Sequence, residues 1–168
     1  GMFYKGKIVT VIGGGNSAAT DALLLSKICK KVIVIHRRDT LRAEKVYQEP
    51  LLKAPNVEFV WNSTVCEISA DNMVTGVKIK NTIDGSEKEI YTDGVFISIG
   101  RSPVTDFLGN QLLLDEHGYI IADESTKTSA PGVFVVGDVR TKTLRQIVTA
   151  AADGAVAAHH AEEFLNTR

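Results

Sequence analysis

Two short clusters in this chain carry the residue types that hold phosphate. The first is Gly13-Gly14-Gly15-Asn16-Ser17-Ala18, set between an apolar run, Lys7 to Ile12, and a helix-forming stretch, Ala18 to Ser26. The second is His36-Arg37-Arg38, with Arg42 one turn on, closing another apolar run, Val32 to Ile35. Gly13, Gly15 and Ala18 have the spacing Gly-x-Gly-x-x-Ala. The first glycine permits a tight turn, Gly15 lets a pyrophosphate approach the backbone, and Ala18 lets helix and strand pack closely. The helix N-terminus offers N–H groups and the positive end of its dipole to the phosphates. Alone, such a turn is weak evidence, because glycines also merely build turns. The strand before it, the helix after it and the second strand about twenty residues later make it a dinucleotide-binding fingerprint.

The residues after the second strand select the dinucleotide. A site for NAD usually carries Asp or Glu there, accepting a hydrogen bond from the ribose 2′-hydroxyl. His36, Arg37, Arg38 and Arg42 instead offer cations, and guanidinium groups hold a 2′-phosphate through charge-assisted, often bidentate bonds. Each such bond contributes about 1.5–3 kcal/mol, so two favour NADPH over NADH by about a hundredfold or more. The bland alternative is a solvated basic cluster paired with Asp39 and Glu44. Asp39 itself reads as a helix cap rather than a ribose ligand.

The elements that must position these clusters follow from hydrophobic pattern. Strand 7–12, helix 17–29 and strand 31–35 form the first unit, followed by a helical stretch from Arg42 to Ala54 and a strand from Val57 to Trp61. The texture then changes. Ser63 to Ser69, Val74 to Lys80 and Lys88 to Tyr91 read as a three-stranded antiparallel meander with one buried face. Val95 to Ile99 reads as a strand buried on both faces of a parallel sheet. The fold class is therefore α/β, a Rossmann-like three-layer ββα domain with a parallel sheet and an antiparallel meander, over residues 2–100.

Gly100-Arg101-Ser102-Pro103 breaks the pattern and is the expected domain boundary, with a second segment over 101–168. There, Leu112 to Leu114 and Tyr119 to Ala122 flank a hairpin turn. Val133 to Val136 reads as a buried strand ending at Gly137-Asp138. Leu144 to Leu165 reads as a long alanine-rich helix whose small residues suit close packing.

Composition bounds the rest. With 44% hydrophobic and 23% charged residues among 168, the chain has the make-up of a globular protein. A net charge of -1 supplies no field for nucleic acid or for a membrane surface. No apolar run approaches the roughly 20 residues that span a bilayer, and no secretory signal is present, so a cytoplasmic location is expected. Gly1 before Met2 has the form of a residue left by tag removal and is set aside. Cys29 and Cys66 form no Cys-x-x-Cys pair and read as two buried structural thiols. His159-His160 lacks companions at ligand spacing and reads as a surface pair, so no metal site is expected.

With these segments in place, the chain resembles the low-molecular-weight, bacterial-type thioredoxin reductases from about Phe3 to its end. Phe3-Tyr4-x-Gly6-Lys7 is similar to the lead-in of that family's NADPH domain. The glycine turn, then His36-Arg37-Arg38-Asp39 and Arg42-Ala43, resemble its NADPH motifs. Phe96 to Pro103, containing Ile99, Gly100 and Arg101, resembles the return to the flavin domain. Gly132-Val133-Phe134 through Gly137-Asp138, then Arg145-Gln146, resembles the second FAD motif. By that resemblance, Asp138 contacts the ribityl chain, and the helix beginning near Arg145, Gln146 and Ile147 points its N-terminus at the pyrimidine end of the flavin.

The resemblance also implies what this chain lacks. The family's Cys-x-x-Cys lies just before the segment matching Phe3-Tyr4, and its N-terminal Gly-x-Gly-x-x-Gly holds the FAD pyrophosphate; neither is here. The implied picture is an NADPH domain followed by the minor part of an FAD domain. The intact enzyme would pass hydride from NADPH to FAD and then to a disulfide protein such as thioredoxin. This chain alone would bind NADPH, hold FAD weakly or not at all, and have no catalytic residue. Two other readings stay open: a ferredoxin–NADP reductase-like flavoprotein of the same superfamily, and a stand-alone NADP(H)-binding or partner-docking module. In the last, apolar surface left bare over 101–168 favours self-association into a homo-oligomer.

Overall fold

Valine- and isoleucine-rich runs of four or five residues supply the centre of the first half of the chain. The computed structural model describes residues 1–167 and divides into two units, Gly1–Gly100 and Arg101–Arg168. In chain order the first unit contains β1 (Ile8–Ile12), α1 (Asn16–Ser26), β2 (Lys31–Ile35), α2 (Lys45–Leu52), β3 (Val57–Val60), β4 (Ser63–Ala70), β5 (Val74–Asn81), β6 (Glu87–Tyr91) and β7 (Gly94–Ile97). Four strands form a parallel sheet in the order β3-β2-β1-β7, and the other three form an antiparallel sheet in the order β4-β5-β6. The α/β class, with its parallel sheet and meander, is as the sequence pattern predicts.

Strand β2 shows why three layers form. Its alternate residues Val32 and Val34 face Ala18, Ala22 and Leu25 of α1 and Leu51 of α2. Ile33 and Ile35 face the other way, onto Val77 and Ile79 of β5. Each fully buried aliphatic side chain contributes about 1.5–3 kcal/mol, and both faces of β2 gain it. The alanines on α1 let its backbone approach the sheet, which sets the height of the glycine turn above the strand ends.

Several boundaries depart from expectation. Helix α1 ends at Ser26 rather than residue 29, and the N–H groups of Lys27, Ile28 and Cys29 close a turn onto the Leu24 and Leu25 carbonyls. Helix α2 starts at Lys45, not Arg42, and ends at Leu52. The Arg42 and Ala43 N–H groups both bond to the Gly14 carbonyl, at 2.7 and 3.0 Å, and Glu44 is extended at φ -65°, ψ 150°. The cap position therefore falls to Glu44, and Asp39 caps nothing. Strand β7 ends at Ile97 on the sheet edge, with Ile97 61% and Ile99 69% exposed, so it is not buried on both faces. Cys29 is buried, and burial pushes its thiol pKa up; Cys66 lies exposed on β4, contrary to the expectation of two buried thiols.

The second unit contains one long helix, α3 (Ile147–Asn166), capped by a reciprocal Gln146–Thr149 box that starts it three residues later than expected. The expected hairpin survives as a single bridge, Leu114 to Ile120, with Asp115 accepting from the His117 and Tyr119 N–H groups. Val133 to Val136 is no regular strand. It makes one bridge, Lys127 to Phe134, and only Val135 enters the small core with Leu112 and Ile120. An apolar strand is buried only when neighbours cover it, and Val133 and Val136 remain 43% and 41% exposed. The small face of α3 is likewise bare: Asp153 is its one buried residue, and Ile147 is 91% exposed.

A buried ionic cluster ties α3 to the segment before it. Arg140 (2% exposed) donates from Nη2 to Asp153 Oδ1 at 3.0 Å and from Nε to Asp153 Oδ2 at 3.2 Å. Lys142 Nζ lies 2.6 Å from the same carboxylate, which also accepts the Gly137 N–H at 2.9 Å. No helix among the described residues is long and apolar enough to cross a membrane.

Candidate functional site

The glycine turn lies at the carboxyl ends of the parallel strands, where open α/β sheets bind ligands. Its three glycines have three different reasons. Gly13 sits at φ +143°, which L side chains rarely adopt, and a Cβ there would run into the Ser98 carbonyl. A Cβ on Gly14 would overlap the imidazole of His36. Gly15 alone faces open space, with nothing within 4 Å of its would-be Cβ. Only the third glycine keeps room for something outside the chain.

That space opens into a cavity of about 790 Å³, whose lining includes Gly15, Ser17, His36, Arg37, Arg42 and Ser98. Its volume is in the range of small-molecule and cofactor sites. Asn16, Ile99 and Gly100 also line it, whereas Arg38 does not, and Ala18 is buried beneath it at 1% exposure. Among the described residues, no carboxylate lies within ion-pair distance of Arg37, Arg38 or Arg42. The alternative of a cluster neutralised by Asp39 and Glu44 is thus not what the chain forms. Asn16 takes Glu44 instead, donating from Nδ2 to its carboxylate and accepting its backbone N–H, both at 2.8 Å.

His36 is the pivot between the two clusters. Its N–H bonds to the Val60 carbonyl and its own carbonyl accepts from Ser63, which fixes the backbone at the end of β2. The ring is 5% exposed, meets the edge of Trp61 at 6.5 Å, and leaves Nε2 buried with no hydrogen-bond partner. Burial lowers its pKa first, then the guanidinium groups of Arg42, Arg37 and Arg38 in that order; a hydrogen bond with the Thr40 backbone opposes them. His36 is therefore neutral near pH 7, and the positive charge of the cavity belongs to the arginines.

Sequence reasoning passed over Ser98 and Asp21. Ser98 Oγ donates to the Asp21 carboxylate at 2.6 Å, tying the end of β7 to α1 across 77 positions. A signal existed: Ser98 interrupts the apolar run Val95 to Ile99 at its carboxyl end. Glu44 gave none.

The second group of expected residues sits in the second unit. Arg101 Nη1 lies 3.0 Å from Asp138 Oδ2. Arg145 donates to the Asp138 carbonyl and stacks over Tyr119, 4.0 Å from its ring centre. Gln146 caps α3, and Gly137 is held by Asp153. These side chains are largely exposed, and the Asp138 carboxylate is already engaged. They lie open on the surface rather than around an enclosed space. His159 is exposed and His160 half-buried, both beside Glu163, and no group of three or more His, Cys, Asp or Glu among the described residues could hold a metal.

A parallel sheet with a glycine turn, a basic loop at the end of its second strand and a meander on its far face is a Rossmann-like three-layer α/β arrangement. The chain belongs to the pyridine nucleotide-disulphide oxidoreductase family, whose model matches residues 4–154. It is 45% identical over 166 residues to the thioredoxin reductase of Listeria monocytogenes, covering 98% of this chain and 52% of that protein. The crystal structure of thioredoxin reductase from Streptococcus pyogenes matches with a TM-score of 0.78 at 40% identity, over 99% of this chain and 55% of that one. The Lactococcus lactis thioredoxin reductase in its FR conformation matches with a TM-score of 0.76 at 40% identity, over 99% and 55%. The chain spans about half the length of the relatives it matches.

Proposed function

We propose that residues 2–100 are an NADPH-binding domain and that the chain is the NADPH-binding portion of a thioredoxin reductase-like disulfide oxidoreductase. One observation carries this reading: the open face of Gly15 and the unpaired guanidinium groups of Arg37 and Arg42 line the same cavity. The glycine turn and the α1 N-terminus take the pyrophosphate, and Arg37, Arg42 and the more peripheral Arg38 take the 2′-phosphate. In the intact enzyme, hydride would pass from NADPH to FAD and on to a disulfide partner such as thioredoxin, a chemistry that goes with a reducing, cytoplasmic setting. Residues 101–168 would be the C-terminal part of the FAD domain, with Asp138 and the α3 N-terminus facing the flavin. Ile99 and Gly100 go with the first cavity rather than the flavin, since both line it.

Titration of the whole chain with NADPH and with NADH, followed by quenching of Trp61 or by calorimetry, tests this reading. NADPH should bind at least about tenfold tighter, since one charge-assisted bond supplies that much. Equal affinity for both, or none for either, would overturn it. With NADPH, FAD and a disulfide substrate all added, no oxidation of NADPH is expected, because Cys29 and Cys66 offer no adjacent dithiol and the second unit does not enclose a flavin.

A further inference from the structure

Asn16 and Glu44 satisfy each other with both ends of one amide. Nδ2 donates to the Glu44 carboxylate and Oδ1 accepts the Glu44 N–H, each at 2.8 Å, across 28 positions of chain. Three facts make the pair unusual for its place. Glu44 occupies the cap position of α2, yet its side chain makes no capping bond to that helix. Asn16 occupies the first turn of α1, where a free amide would be available to phosphate, yet both its polar atoms already bond to Glu44. The two residues also line the cavity, one beside the glycine turn and the other two positions after Arg42.

The bend from Arg37 to Glu44 contains no helix or strand. It is fixed at its start by the Asn62 N–H on the Arg38 carbonyl, at 3.2 Å, and near its end by the Arg42 and Ala43 N–H groups on the Gly14 carbonyl. The Gln48 amide donates to the Leu41 and Ala43 carbonyls and His36 bonds the Thr40 backbone, while Asn16 and Glu44 add the side-chain attachment that ties the bend to the first turn of α1. They set where the Arg42 backbone, and so its guanidinium, stands relative to the turn that takes the pyrophosphate. The spacing of the two phosphate-holding groups is then fixed before coenzyme arrives, which removes an ordering cost from binding.

We infer that Asn16 and Glu44 form a clasp that positions Arg42, making them determinants of preference for the 2′-phosphorylated coenzyme while neither needs to touch that phosphate. The inference rests on the NADPH reading above and adds a residue pair to it. The charge of Glu44 argues the same way: a carboxylate left free beside Arg42 would neutralise it, whereas bonded to Asn16 it leaves the guanidinium unpaired.

The test is a set of titrations of the full chain with NADPH and NADH, with thermal melting of each variant to establish that it folds. Asn16→Ala and Glu44→Ala should each weaken NADPH about five- to thirtyfold, the range of one or two hydrogen bonds, and NADH less than about threefold. Glu44→Gln keeps an acceptor for Asn16 Nδ2 and should restore the preference to within about threefold of the parent chain. In the Arg42→Ala background, Asn16→Ala should cost NADPH little more, because the group it positions is gone. If Asn16→Ala fails to fold, Glu44→Ala at its exposed site carries the measurement. A parent chain that prefers NADPH, together with a folded Glu44→Ala variant of unchanged preference, would overturn the clasp and leave the NADPH reading standing. A parent chain without preference would remove that reading, and the clasp with it. Full additivity with Arg42→Ala would also sink the inference.

Discussion

The imidazole of His36 occupies the space that a side chain on Gly14 would need. The middle glycine, at the variable position of the fingerprint, is thereby fixed by an internal neighbour rather than by a ligand. A Gly14→Ala substitution must displace a ring that is 5% exposed and wedged beside Trp61. Overpacking of this kind costs about 1–3 kcal/mol. Gly14→Ala should lower the melting temperature even without nucleotide, and His36→Ala should relieve most of the loss in the double variant.

Gly15 predicts the opposite pattern. Its neighbourhood is empty, so Gly15→Val should leave the fold nearly intact while filling the approach to the turn. Affinity for NADPH and NADH should fall together, by about tenfold or more if the β-branched side chain displaces the pyrophosphate from a single charge-assisted bond. Melting curves beside coenzyme titrations separate this from the Gly14 effect, and retained affinity in the folded variant would count against the site.

The arginines should divide the two coenzymes. Replacing Arg37 and Arg38 together by alanine is expected to weaken NADPH by about a hundredfold and NADH by less than about threefold. Singly, Arg37→Ala should cost more than Arg38→Ala, since Arg38 does not line the cavity. Equal losses of both coenzymes in the double variant would contradict the phosphate assignment.

Burial and three guanidinium groups hold the His36 pKa below its ordinary 6.5. An unfolded chain therefore takes up a proton that the folded one refuses, and the neutral ring's contribution to stability is present above pH 6.5 and lost as pH falls through the lowered folded value. Melting temperatures measured from pH 7.5 down to pH 5 should decline, and His36→Gln should flatten that slope. A parent chain equally stable at both ends would remove the assignment.

In the second unit, Asp153 is held well below the usual carboxylate range, first by its hydrogen bonds to Arg140 and then by Lys142 and the Gly137 N–H, against the cost of burial. Its contribution is present above pH 3.8 and lost as pH falls further. Asp153→Ala takes the buried carboxylate from Lys142 and leaves Arg140 only the exposed Glu124 carboxylate, and should cost about 3–5 kcal/mol. Denaturant unfolding of the full chain should show that loss in the transition of the second unit, leaving NADPH affinity unchanged.

Much of this was readable from sequence, for physical reasons that differ by residue. Val32 to Ile35 and Gly13 to Ala18 were legible because their signal is local: period, length and small residues at fixed spacing. The start of α2 was not, because the amides of Arg42 and Ala43 are drawn to the Gly14 carbonyl, 28 and 29 positions back, and no local preference records that pull. The pairs Asn16–Glu44 and Asp21–Ser98 are equally long-range and leave no pattern. Val133 to Val136 has the composition of a buried strand, but burial depends on what lies alongside, and the second unit supplies little.

The convergence of two N–H groups on the Gly14 carbonyl has a consequence for how the empty protein behaves. Amides in an irregular, solvent-facing bend ordinarily trade their hydrogens with deuterium within moments, yet those of Arg42 and Ala43 should be retained like amides of a sheet. The cradle is thus already assembled in the absence of its guest, and arrival of the coenzyme should change the speed of that trade in this bend only modestly.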